Sequence, residues 1–149
     1  MIKRILKEED FKEAINDLTI KFSKELGDYH NFLSHDTEKM TKRFCNESLL
    51  NHQFFVWANK EDGVYDSCIA FILEDSKFNK KVFVEYLWIS KNPKAGFKLF
   101  RTASNFARDI GVKYIAMSNT EKGKQKKKLE SFYEKMGFLK DSTIYISQL

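Results

Sequence analysis

The sequence has little of what breaks or crosslinks a chain. One proline and six glycines among 149 residues argue against disorder and against a loop-rich fold. The two cysteines, Cys45 and Cys68, both lie in apolar surroundings. They suit buried free thiols in a reducing compartment better than a disulfide framework. The three histidines, His30, His35 and His52, show no metal-ligand spacing, and no cysteine stands near them in a ligand pattern. No Walker-type or dinucleotide glycine fingerprint occurs, and no nucleophile elbow. The longest apolar runs, such as CIAFIL, are far too short to span a bilayer. The N-terminal MIKRILKEED lacks the apolar core of a leader. A soluble, cytoplasmic protein with no membrane partner and no bound metal is expected.

What is present is ample core material. Hydrophobic residues make up 42% of the chain and aromatics 15%, with fourteen phenylalanines, enough for one domain over residues 1–149. The net charge is +5. Part of it is concentrated in KGKQKKK, Lys122 to Lys128, with five lysines in seven residues. Such a run is either a solvated face or a contact for a polyanion, whether nucleic acid or the phosphates of a cofactor.

Periodicity divides the chain into alternating elements. MIKRIL reads as a short strand. Phe11, Ala14, Ile15, Leu18, Phe22 and Leu26 then recur at helical spacing, and Gly27 closes that helix. GDYHNFLSHD connects to a second helix, TEKMTKRFCNESLL, with Asp36 as its N-cap and Glu38 in its first turn. Three strands follow: HQFFVWAN, SCIAFILE and VFVEYLWIS. Asp62-Gly63 supplies the first turn between them. The last two of these strands are apolar on both faces, as central strands covered by helices should be. A helix from Gly96 to Ile110, with Phe97, Phe100, Ala103, Phe106/Ala107 and Ile110 as its apolar stripe, ends at Gly111. VKYIAMS is a further strand, KKKLESFYEKMG a last helix with Leu129, Phe132 and Met136 inward, and FLKDSTIYISQL a closing strand. The order β-α-α-β-β-β-α-β-α-β predicts an α/β protein whose mixed sheet carries helices on both faces.

This order, together with three segments, resembles the Gcn5-related N-acetyltransferases. The segments are LESFYEKMGF, with Tyr133 followed three residues later by Gly137-Phe138; VEYLWIS running into a basic loop and GFKLF; and ARDIGVKYIAM. The tail STIYISQL is similar to closing segments of small phage and prophage acetyltransferases. The chain departs from the family at one place: Lys94 stands where the cofactor loop commonly has its first glycine, with Lys91 at the basic start and Gly96 at the end.

The resemblance implies acetyl-CoA as acyl donor and a primary amine as acceptor, with transfer in a direct ternary complex. It implies that the N–H groups of Lys94, Ala95, Gly96, Phe97 and Lys98 meet the diphosphate at a helix N-terminus, where unpaired donors and the helix dipole favour an anion. Lys91, Lys94 and Lys98 would add charge. It further implies that the backbone of Leu87, Trp88 and Ile89 pairs with the pantetheine arm and the acetyl carbonyl, and that Asn119 contacts the same arm. Read without the resemblance, Gly96 eases an ordinary turn and Trp88 is a core aromatic.

Glu85 interrupts an otherwise apolar strand, where burial would raise its pKa toward that of a general base near neutrality. A carboxylate paired with a neighbouring lysine fits the same pattern. Tyr133 is the candidate acid, protonated at neutral pH and able to donate to a departing thiolate; as a plain residue it caps the core. The acceptor side falls to Tyr29, His30, His35, Asp36 and Glu38, which point to no single amine. Small-molecule, protein and aminoacyl-tRNA amines remain open, as do nucleic acid binding by a catalytically inactive domain and a monomeric or homodimeric state.

Overall fold

The structure is a computed structural model that describes residues 1–26, 37–46, 53–75, 80–118 and 123–140. They fall into two compact units, Met1–Ala116 and Met117–Leu149. The closing strand expected over residues 138–149 lies outside the described residues from 141 on, and 138–140 are not strand; the three histidines, Tyr29, Asp36 and Asn119 also lie outside the described residues.

The first unit holds β1 (Ile2–Arg4), α1 (Glu8–Leu26), α2 (Thr37–Phe44), β2 (Phe54–Glu61), β3 (Val64–Asp75), β4 (Lys81–Ser90), α3 (Pro93–Asp109) and β5 (Tyr114–Ala116). The sheet order is β1-β2-β3-β4-β5. The first four strands pair antiparallel, and β5 joins β4 in parallel. This is the mixed α/β sheet expected from the sequence.

The β2–β3 hairpin turns on Asp62 and Gly63, whose φ values are +49° and +80°. Two successive left-handed residues match the twist of flanking strands, which is why Asp-Gly serves here. The hairpin is tighter than the sequence suggests, because both strands run up to those two residues. Close to this turn β3 meets β2 through a bulge: Asn59 opposes Ser67 and Lys60 opposes Tyr65, so Asp66 is the extra residue.

Burial on both faces goes with the apolar middle stretches of β3 and β4. On one face Phe11, Ala14, Ile15 and Leu18 of α1 pack with Phe44, Val56, Cys68, Ala70, Leu87 and Ile89. Phe11 and Phe44 stack at 4.5 Å between centroids. On the other face α3 buries Ala95, Leu99, Phe100, Ala103 and Ala107. Phe106 packs there against Phe55, Trp57 and Phe83.

The α3 stripe is therefore rotated from the one the sequence suggested. Phe97 and Ile110 remain 40% and 45% exposed, because Ala95, Gly96 and Leu99 take the inward positions. The helix closes at Gly111 (φ +83°). The Gly111 N–H donates to Arg108 O and the Val112 N–H to Ala107 O, the paired bonds of a Schellman motif, with Val112 buried behind them.

The second unit contains α4 (Gly123–Lys135). None of its residues is buried, and Met136, expected inward, is 47% exposed. This helix ends as α3 does. Gly137 (φ +83°) donates to Glu134 O, and Phe138 N–H donates to Tyr133 O.

Candidate active site

Three features converge where β4 runs into α3: a bulge, an end to strand pairing, and a capped helix start. The bulge lies at Tyr86. Ala70 opposes Leu87 and Phe71 opposes Glu85, leaving Tyr86 as the additional residue on β4. It reverses the in–out alternation of the strand. Before it, Phe83 faces α3 and stacks against Phe71 at 5.4 Å. After it, Trp88 faces α3 and stacks on Phe100 at 5.8 Å. Tyr86 and Leu87 both turn to the α1 side. There Tyr86 meets Phe54 edge-on at 5.0 Å, with the Arg43 guanidinium of α2 4.9 Å from its ring. Glu85, at the register position of Phe71, is half-buried, not enclosed as its apolar neighbours suggested.

Pairing between β4 and β5 covers only Val82–Val84 against Tyr114–Ala116. Beyond Val84 the backbone of β4 continues to Ser90 with no described strand on that edge. Leu87 and Ile89 have side chains buried toward α1, so any contact they make at that edge is through the main chain.

The β4–α3 junction is only Lys91 and Asn92. Asn92, in extended conformation, is the N-cap, and Pro93 occupies the first helical position. Asn-Pro is a strong helix-start signal, since the amide accepts from the first turn and proline has no N–H to strand. The sequence reading passed over it and began the helix at Gly96. Lys94 and Ala95, which that start left outside the helix, accordingly join Gly96, Phe97 and Lys98 in the first turns of α3.

Their N–H groups have partners inside the chain. Asn92 Oδ1 accepts from Lys94 N at 3.2 Å and from Ala95 N at 3.3 Å. The Gly96 N–H reaches Asn92 O at 2.9 Å. The two side-chain bonds share one acceptor and are long for N–H···O. Lys94, Phe97 and Lys98 are exposed, whereas Ala95 and Gly96 are buried. An anion at this terminus would find two lysine ammoniums, and would reach the Lys94 and Ala95 N–H groups by displacing the Asn92 side chain.

Gly96 is explained by close packing. A Cβ built on it would lie 2.7 Å from Ser90 Oγ and 2.8 Å from Ser90 Cβ. Ser90 is held in turn: its hydroxyl donates to Asn92 O at 2.6 Å, so Ser67 Oγ, 2.9 Å away, must be the donor to Ser90. Lys91 points elsewhere than toward the helix start. Its N–H donates to the carbonyl of the bulged Asp66 at 3.0 Å, and its ammonium to Asp17 O of α1 at 3.2 Å. Asp17 Oδ2 also accepts the Tyr65 N–H at 3.0 Å. Residues the sequence reading did not single out (Asp17, Asp66, Ser67, Ser90 and Asn92) thus hold the junction.

Within the second unit, Tyr133 has a complete local explanation. It is the residue whose carbonyl receives Phe138 N–H, its ring lies 5.2 Å from that of Phe138, and its hydroxyl donates to Ser118 O at 2.8 Å. The spacing Tyr-x-x-x-Gly-Phe is that of a helix C-cap with its accompanying apolar contact. Of the cysteines, Cys68 is fully buried, and burial pushes its thiol up to about 12. Cys45 is half-buried, and burial together with Glu8 also raises its thiol. Neither is poised as a thiolate nucleophile.

The comparisons with known structures agree with this architecture over the full chain. An aminoglycoside acetyltransferase from an uncultured soil metagenomic sample, solved with sisomicin, matches at TM-score 0.70 and 15% identity, covering 100% of this chain and 95% of its own. The chain has the fold of the Gcn5-related N-acetyltransferases. A ribosomal-protein-alanine N-acetyltransferase from Brucella melitensis biovar Abortus 2308 shares that fold at TM-score 0.67 and 10% identity, with 100% and 99% coverage. So does a predicted acetyltransferase from Clostridium acetobutylicum solved with acetyl-CoA, at TM-score 0.65 and 16% identity, with 100% and 96% coverage. No family model and no curated protein matches the sequence.

Proposed function

We propose that this chain is an N-acetyltransferase that moves an acetyl group from acetyl-CoA to a primary amine in a single ternary complex. The observation that carries the reading is the acetyltransferase likeness over the whole chain, with the Tyr86 bulge falling in the strand that leads to α3. Residues 1–149 act as one catalytic domain in this reading.

The donor's diphosphate is held at the start of α3 by the Lys94 and Lys98 ammoniums and, once Asn92 turns aside, by the Lys94 and Ala95 N–H groups. Gly96 keeps the helix close against β4, and Phe97 lies on the exposed side of the same turn. Lys91 positions the junction by tying it to α1. Main-chain groups of Leu87, Trp88 and Ile89 line the pantetheine arm. Glu85 accepts the proton that the amine loses as its nitrogen bonds to the thioester carbon. Tyr133 returns a proton to the sulfur as the C–S bond breaks. With Cys68 buried as a neutral thiol, transfer needs no acyl-enzyme. The acceptor is a small-molecule, protein or aminoacyl-tRNA amine.

Calorimetric titration with acetyl-CoA tests the donor assignment: saturable binding is expected, and no heat at millimolar ligand overturns it. Release of free coenzyme A on adding a panel of amines then tests transfer and identifies the acceptor. A chain that binds the donor but releases no coenzyme A with any amine class overturns the enzymatic reading.

A further inference from the structure

The outward face of α3 carries more positive charge than a donor diphosphate at its first turn can use. Lys94, Lys98, Arg101 and Arg108 are all exposed, with Asn105 between the two arginines. At 100° per residue they share one strip of the helix with Phe97, running about 21 Å from Lys94 to Arg108. The opposite face is the buried one, so nothing within the helix's own packing requires these cations.

Three further observations mark the strip. Its first turn has no acidic residue, although the helix dipole favours acids there and disfavours Lys94. Asp109 is the helix's single acid and stands at its far end. Among the described residues, no carboxylate forms an ion pair with any of the four cations. Phe97 stays 40% exposed in the middle of the charge, with the Arg101 guanidinium 5.9 Å from its ring. At the other end Arg108 is steadied by a 3.0 Å bond to Asn105 Oδ1.

We propose that this face of α3 is a docking strip for single-stranded nucleic acid. Spaced cations over three to four helical turns match a phosphate backbone. A half-exposed ring beside an arginine offers a base a stacking surface, the pairing of features that single-strand binders use. At a stacked rise of about 3.4 Å per nucleotide, the strip spans about six nucleotides. Recognition is of backbone and π-face, so little sequence preference is expected. The inference is separable from acetyl transfer at Arg101 and Arg108, which lie about one and three turns beyond Lys98, while the strip's first turn shares Lys94 and Lys98 with the proposed diphosphate site.

Fluorescence anisotropy of a labelled 12-nucleotide single strand with the full chain, across a salt series, tests it. Three to four phosphate contacts predict a log–log salt slope of about −2 to −3. The pair Arg101→Gln/Arg108→Gln should flatten that slope by about 1.4 and raise Kd at low salt, while Arg101→Lys/Arg108→Lys should retain it. Unchanged binding by the glutamine pair overturns the proposal. So does loss of binding on Lys126→Gln/Lys127→Gln/Lys128→Gln with the arginines intact. Binding to phosphatidylserine vesicles without binding to the oligonucleotide overturns it too, assigning the strip to a lipid surface.

Discussion

Gly96→Ala separates two explanations of the glycine at the start of α3. Inside a helix, alanine is favoured over glycine by about 0.8–1.0 kcal/mol, so on propensity alone the substitution stabilises. The structure argues the reverse. The new Cβ would stand 2.8 Å from Ser90 Cβ, well inside the roughly 3.5–4.0 Å of a carbon–carbon contact. Ser90 Cβ belongs to a central strand, and its Oγ cannot rotate without giving up bonds to Asn92 O and Ser67. Relief must come from α3 moving off the sheet, at about 1–3 kcal/mol for overpacking. Subtracting the propensity gain leaves a net loss of about 0–2 kcal/mol. Ser90→Gly removes both clashing atoms, so Gly96→Ala introduced into that background should stabilise by about 1 kcal/mol. Urea denaturation of the four proteins of the cycle measures the coupling, expected at about 1–3 kcal/mol. Stabilisation of similar size in both backgrounds would refute the packing account and return Gly96 to a role in approaching a ligand.

Substitutions at three other positions test further points. Asn92→Ala should cost about 1 kcal/mol of stability through the lost cap, yet tighten acetyl-CoA binding by exposing the Lys94 and Ala95 N–H groups; Asn92→Asp should do the opposite on both counts, and identical donor affinity in all three proteins would show that the ligand does not use those groups. Tyr133→Phe removes the hydrogen bond to Ser118 O while keeping the ring against Phe138, so stability should fall by only about 0.5–1.5 kcal/mol; turnover falling far more than donor affinity supports Tyr133 as the acid, and unchanged turnover removes that role. Cys68, raised on folding to about 12, holds its proton in the native state at pH values where the unfolded thiol has lost it. The sign is therefore a loss of stability as pH rises above about 9, on the order of 1.4 kcal/mol per unit. Stability measured from pH 8 to 10.5 should fall less steeply for Cys68→Ala than for the parent, and parallel curves would contradict the burial effect.

Much of the architecture was legible in the chain because local periodicity and turn chemistry carry it. The spacing of Phe11, Ala14, Ile15 and Leu18 marked α1, Asp62-Gly63 marked the hairpin, and the doubly apolar β3 and β4 announced a sheet covered on both sides. The Tyr133–Gly137–Phe138 spacing was also visible, but as a family signature; the structure supplies its physical content, a helix cap with a ring contact. Asn92-Pro93 was there to be read as a helix start and was not, which left Lys94 and Ala95 outside the helix that holds them.

Other features exist only in three dimensions. The Tyr86 bulge cannot be read from VFVEYLWIS, because a bulge is a mismatch of register with β3 and has no local periodicity of its own. The need for Gly96 arises from Ser90 on a neighbouring element, and the tie of Lys91 to Asp17 from a residue far away in sequence. Sequence alone determined which segments are helices and strands and which face of α1 is apolar, since those follow from neighbours three or four positions apart. Tertiary structure decided which glycine is a spacer and which lysine faces the junction, since those depend on atoms that only packing brings within a few ångströms.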